Sequence, residues 1–200
     1  SYLMLKNIMG LWILQQCKRK WEKVSGALEY DELIRQAESC EPFRSLIDPD
    51  DLRFLNPPDM ETAVRSFCME SGQPVPRSIG ETVRCILESL ALRYRKVFMQ
   101  IERLTHCTYP KLYMVGGGIR NQMLCRFTAG ALGRPVYAGP AEASAIGNIL
   151  VQLQAAGLIA DHESSAELVV RSFAKTVYEP EDTKKWEEAF AKFEAIATSV

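Results

Sequence analysis

The chain has 200 residues, of which 47% are hydrophobic and 24% charged, and a formal net charge of −1. This is the make-up of a soluble globular chain long enough to bury a real core, and the length favours one domain. No long basic run and no apolar run of membrane-spanning length occurs, and no charged leader precedes an apolar signal core, which argues against a nucleic-acid surface, a membrane span and secretion and leaves a cytoplasmic location as the expectation.

From Leu3 to about Lys23, apolar residues fall on nearly every side, among them Ile8, Met9, Leu11, Trp12, Ile13, Leu14 and Trp21, which predicts one helix buried on most faces. It starts with no preceding strand or cap, so the chain is expected to begin in the middle of a larger fold. A short helix is predicted over Tyr30 to Cys40, then an irregular stretch from Glu41 to Asp59 rich in proline and aspartate. Asp48, Asp50 and Asp51 lack the glycine turn and distal glutamate of a calcium loop and read as solvated turn acids. Asp59 is placed to cap a helix that runs to about Ser71 and ends at Gly72. Ser78 and Glu81 form a capping box for a long helix reaching Leu104, about 39 Å at helical rise, expected to be the central packing element.

Leu112 to Val115 reads as a buried strand, Ile119 to Leu132 as a helix closed by Gly133, and Pro135 to Ala138 as a second strand. A whole helix between two strands predicts that they run parallel. Pro140 is expected at the first position of the next helix, whose residues Ala141, Ala143, Ser144, Ala145 and Gly147 offer a small-residue face. The tail supplies helices over about Ser165 to Phe173 and Glu181 to Ala197, the latter with Trp186, Ala189, Phe190, Phe193 and Ile196 as its packing stripe.

The feature with the most chemistry is KLYMVGGGIRN, Lys111 to Asn121, a strand running into three consecutive glycines at an expected helix start. Gly116, Gly117 and Gly118 let a ligand touch backbone, and a helix start offers unpaired N–H groups. A dinucleotide fingerprint would need glycine where Asn121 stands and an acid near Val136 to Gly139, and a Walker loop would need a lysine and a hydroxyl after the glycines; neither is present. What remains is a nucleotide held by backbone and by the Asn121 amide, which both donates and accepts. Cysteines 17, 40, 68, 85, 107 and 125 show no C-x-x-C pairing and only His106 and His162 are available to join them, so no metal site is expected. Cys68 and Cys85, at the facing ends of two helices, are the one pair expected within bridging distance, although a reducing compartment opposes a bond. No Ser, His and Asp set is apparent and no catalytic residue is assigned.

LKNIMGLWILQQC, IDPDDLRFLNPPDM, TVRCILESLALRYR, VGGGIRNQMLCRFTAGALGRPV and AGPAEASAIGNILVQ together resemble the C-terminal part of the FGGY carbohydrate kinases, and among them those acting on L-rhamnulose, over about residues 3 to 180. The resemblance implies an α/β fold, predominantly helical, forming an incomplete ribonuclease H-like (actin-like ATPase) domain with a small, partly parallel sheet. All of residues 1–200 would then belong to the C-terminal, nucleotide-binding domain, truncated on its N-terminal side. It implies transfer of the ATP γ-phosphoryl to L-rhamnulose with magnesium. The triple glycine matches the adenosine motif, with Gly117 the best match to a nucleotide contact, Gln15 matches an ATP contact and Asn7 a sugar contact. On one helix those two amides would stand about 12 Å apart.

The family's phosphate-binding glycine loop and its glycine-flanked aspartate base, both in the N-terminal domain, have no counterpart here, so the piece is expected to be inactive alone, to need that domain as partner and to self-associate through uncovered faces. The competing expectations are a catalytically silent helical module that docks a protein through an open face near Trp12 and Trp21, and a kinase of a related ketose.

Overall fold

The structure, a computed structural model, describes residues 4–197. In chain order it contains helices α1 (Trp12–Ser25), α2 (Tyr30–Glu38), α3 (Met60–Glu70) and α4 (Ile79–Thr105), strand β1 (Leu112–Met114), helix α5 (Gln122–Leu132), strand β2 (Val136–Ala138), helices α6 (Ala143–Ala155) and α7 (His162–Ser172), strand β3 (Thr176–Tyr178) and helix α8 (Thr183–Ile196). Short 3-10 turns cover Leu52–Phe54 and Gly117–Arg120. The chain divides into two compact units, one reaching to Thr108 and resuming at Asp182, the other Tyr109–Glu181.

In the first unit α4 is the central element, as its long apolar periodicity predicts. Ile86, Leu87, Leu90, Ala91 and Leu92 are all wholly buried, and α1, α2 and α8 pack against it. Ser78 Oγ accepts from the Glu81 N–H at 3.2 Å, while the Glu81 carboxylate reaches back to the Arg77 N–H at 2.6 Å, so an orphan amide of this helix start and the amide just ahead of the cap are satisfied by nearby side chains. Asp59 caps α3 through the Thr62 N–H. On α8, Trp186, Ala189, Phe190 and Phe193 are buried as their spacing predicts, with Trp186 edge-on to Phe43 at 4.6 Å.

Three expectations for this unit are corrected. Leu3 lies outside the described residues, and the opening helix starts only at Trp12, because the Gly10 N–H closes a tight turn onto the Ile8 carbonyl and the Met9 N–H is taken by Asp50. The aspartates of the irregular stretch are not solvated. Asp48 is 1% exposed, Asp50 binds Arg93, and Asp51 caps the 3-10 turn through the Arg53 N–H. Trp21 is buried, so the open face expected around Trp12 and Trp21 is reduced to Trp12. Cys68 and Cys85 are both buried free thiols, with no disulfide between them.

In the second unit the sheet order is β1-β2-β3. β1 and β2 run parallel in the register Leu112↔Val136 to Met114↔Ala138, as the intervening helix requires. β3, which the sequence reading leaves unassigned, adds antiparallel to β2 with Val136 opposite Tyr178. Its three residues are too few and too exposed to show alternation. α5 buries Met123, Leu124, Cys125, Thr128 and Ala129 and packs on β2 and β3. α6 starts at Ala143 and not at Pro140, whose carbonyl is held by the Gly116 N–H at 3.0 Å. Nothing among the described residues lies within 4 Å of where Gly147 would carry a Cβ, so the small-residue face of α6 meets no close backbone there. No helix of the described residues is long and apolar enough to cross a membrane.

Candidate functional site

Two parallel strands of an open sheet direct their carboxyl ends to one side, and ligands in such folds sit in the crevice outside those ends. Here β1 delivers Val115 and the triple glycine, and β2 delivers Gly139, Pro140 and Ala141. The two loops are tied together twice. The Gly139 N–H donates to the Met114 carbonyl at 2.9 Å and the Gly116 N–H to the Pro140 carbonyl at 3.0 Å. Arg120 and Glu142 add an exposed ion pair of 2.8 Å between the same loops.

The three glycines are not equivalent. Gly116 has φ +83°, where a side chain is strained, so the turn itself demands glycine. Gly117 and Gly118 have no such φ, and a Cβ built on either would meet nothing within 4 Å. Neither backbone conformation nor packing among the described residues asks for glycine at those two positions. The space above them is free for another molecule to approach the backbone.

The expectation that the glycines open directly onto a helix is corrected. The turn Gly117–Arg120 intervenes, and α5 begins at Gln122 with Asn121 as its N-cap. Asn121 Oδ1 accepts from the Leu124 N–H at 2.9 Å, which engages its oxygen in capping and leaves its amide N–H groups as donors. Because the helix start is satisfied by its own side chain, a phosphate has less reason to sit there. Cys125, just behind, is buried, and burial pushes its thiol up to about 11, so it is a protonated core residue at neutral pH and not a nucleophile.

Gly116, Gly117, Gly118 and Asn121 are thus brought together in the second unit, while Asn7 and Gln15 belong to the first. Gln15 lies on the exposed side of α1 with its backbone N–H bonded to the Leu11 carbonyl at 2.9 Å. Asn7 is exposed in the irregular segment before α1, so the two amides do not share a helix and the spacing expected from helical rise does not apply. Sequence reasoning missed the second loop, Gly139 to Ala141, whose only signal was a Gly-Pro pair at the end of a strand. It also missed Asp50, which reaches the backbone beside Asn7. Among the described residues no group of three or more His, Cys, Asp or Glu side chains is gathered to hold a metal ion.

Residues 1–156 match the model of the FGGY family of carbohydrate kinases, C-terminal domain. Over 190 residues the chain is 48% identical to the rhamnulokinase of Bacteroides thetaiotaomicron, covering 95% of this chain and 38% of that protein. It is 42% identical to the rhamnulokinase of Pectobacterium carotovorum over 98% of its length and 39% of the relative's. The chain therefore spans about two fifths or less of the curated relatives it matches. Among solved structures, the xylulose kinase of Rhodospirillum rubrum superposes with a TM-score of 0.64 at 18% identity, over 92% of this chain and 36% of that one. The glycerol kinase of Plasmodium falciparum, solved with ADP, superposes with a TM-score of 0.61 at 14% identity, over 96% and 38%. These likenesses give the fold, a mostly helical domain of the ribonuclease H-like, actin-like ATPase kind with a small mixed sheet. With the two loops at the strand ends, the family match over most of its length and relatives at up to 48% identity pointing the same way, the chain belongs to the FGGY family of carbohydrate kinases.

Proposed function

We propose that this chain is the nucleotide-binding part of a kinase that transfers the γ-phosphoryl of ATP to L-rhamnulose. The observation that carries this reading is the pair Gly117 and Gly118, where backbone and packing among the described residues give no reason for glycine and leave open space. A flat adenosine lying on bare backbone supplies that reason. Gly116 turns the chain to present the two, the loop Gly139 to Ala141 walls the same side, and the amide N–H groups of Asn121 donate to the nucleotide. Gln15 is a further ATP contact and Asn7 a sugar contact. Relatives that carry the name rhamnulokinase at 48% and 42% identity support the choice of ketose.

Phosphoryl transfer rests on positioning and charge stabilisation more than on covalent help from the protein. Magnesium, carried with the ATP phosphates, supplies part of that charge stabilisation. The described residues here offer no group of three or more His, Cys, Asp or Glu side chains gathered for metal, and Glu142, beside the glycine loops, is paired with Arg120. The base and the phosphate loop belong to the N-terminal part that completes the enzyme, and the chain alone binds nucleotide weakly without turnover and is prone to self-association.

The test joins this chain to the N-terminal part of the Bacteroides thetaiotaomicron relative. ADP release dependent on L-rhamnulose, faster than with D-xylulose and absent from the chain alone, is expected. Turnover with D-xylulose but not L-rhamnulose overturns the substrate, and a folded joined protein that binds no ATP by calorimetry overturns the nucleotide site.

A further inference from the structure

Arg93 stands midway along α4, 2% exposed, with its charge directed at two carboxylates. Its Nε and Nη2 contact Asp50 Oδ2 at 2.8 and 2.6 Å, and Nη1 lies 3.8 Å from Asp48 Oδ1. The second oxygen of Asp50 faces the other way and accepts the Met9 N–H at 3.0 Å. Asp48 in turn accepts from the Asp50 N–H at 3.1 Å, which ties down the Asp50 backbone. One carboxylate therefore bridges the core helix α4 and the backbone of the irregular segment ahead of α1, two residues from Asn7.

A buried ion pair contributes little net stability, because desolvation offsets most of its attraction, and its best-attested use is to fix register. The segment it reaches has no helix or strand of its own to hold it, and the Gly10 N–H to Ile8 carbonyl turn tightens it at the same point. Fixing a backbone amide there fixes where the Asn7 side chain is presented.

We infer that Asp50, oriented by Arg93, is a positioning residue for the sugar: it holds the Met9 amide and so places Asn7 against the ketose. This rests on the reading of Asn7 as a sugar contact. Asp50 touches no substrate itself. Its loss misplaces one binding group, which affects sugar binding and leaves the nucleotide side unchanged.

The experiment uses the chain joined to the N-terminal part of the Bacteroides thetaiotaomicron relative, with Asp50→Asn, Met9→Pro and Asn7→Ala. Met9→Pro deletes the N–H that Asp50 accepts and leaves the Asp50–Arg93 pair in place, so it stands in if Asp50→Asn fails to fold. In Asp50→Asn, exchange of the Met9 amide is expected to rise about tenfold or more while α1 stays protected, the loss being that of a charge-assisted hydrogen bond. In both variants KM for L-rhamnulose is expected to rise about tenfold, with KM for ATP within about twofold of the parent. Unchanged Met9 exchange in Asp50→Asn overturns the proposal. So does an unchanged sugar KM in Met9→Pro while Asn7→Ala raises it, or a parallel rise in both KM values, which marks a merely structural role. If Asn7→Ala leaves the sugar KM unchanged, the reading of Asn7 falls first and the positioning role falls with it.

Discussion

Gly80, in the first turn of α4, lies so close to α2 that a Cβ on it would stand 2.6 Å from the Gln36 carbonyl oxygen. Backbone cannot yield as a flexible side chain does, and this contact sets how near the two helices pack. Gly80→Ala gains helix propensity of about 1 kcal/mol yet forces the helices apart, so the net expectation is a loss of about 1–3 kcal/mol in denaturant unfolding. An unchanged midpoint would show that α2 moves away freely.

Glu88 is 1% exposed and accepts from Arg84 Nε at 2.7 Å and from the Phe43 N–H at 2.8 Å. Burial outweighs those partners and pushes its carboxyl up to about 7, from 4.5 in the unfolded chain. Between those two values the native protein holds a proton that the unfolded chain has released. The Glu88 contribution to stability therefore falls as pH rises from about 4.5 to about 7, by an amount on the order of 3 kcal/mol, and is flat outside that window. Unfolding of Glu88→Gln, followed across the same pH range, should show a shallower fall than the parent; an identical slope would assign the pH dependence elsewhere.

Gly116 and Gly117 should separate folding from binding. At φ +83°, Gly116→Ala is strained and is expected to cost about 1–2 kcal/mol of stability. Gly117→Ala enters open space at an ordinary φ and should leave stability within about 0.5 kcal/mol, while weakening ADP binding in calorimetry about tenfold or more. Full ADP affinity in Gly117→Ala would remove the nucleotide from this backbone.

Asn121 caps α5 with its amide oxygen and, in the proposed nucleotide site, donates with its amide nitrogen, and the two ends can be tested apart. Asn121→Ala removes the acceptor for the Leu124 N–H and should cost about 1 kcal/mol. Asn121→Asp keeps an acceptor at the helix start and should preserve the melting temperature, yet it lacks the amide donor and should bind ADP more weakly. If Asn121→Asp binds as the parent does, the residue is a cap alone.

Much of this architecture is legible in the residues because its causes are local. The α4 periodicity, the Ser78 and Asp59 caps and the parallel pairing of β1 with β2 all follow from side chains within a few residues of one another or from the length of the connection between strands. The glycine cradle is legible for the same reason, since Gly116 is required by its own φ. The start of α1 is not, because apolar residues from Ile8 onward satisfy a helical pattern and only a distant partner, Asp50, claims the Met9 amide. β3 is short and exposed and becomes a strand only because β2 offers it an edge.

The sequence by itself determined the helices, the strand-helix-strand order and the three glycines, because these depend on intrinsic backbone preference and on the spacing of apolar side chains. The tertiary structure decided which carboxylates are buried against Arg93 and which loop stands beside the triple glycine. Those facts depend on atoms that are tens of residues apart in the chain and 3 Å apart in space, where desolvation and steric exclusion act and sequence spacing carries no information.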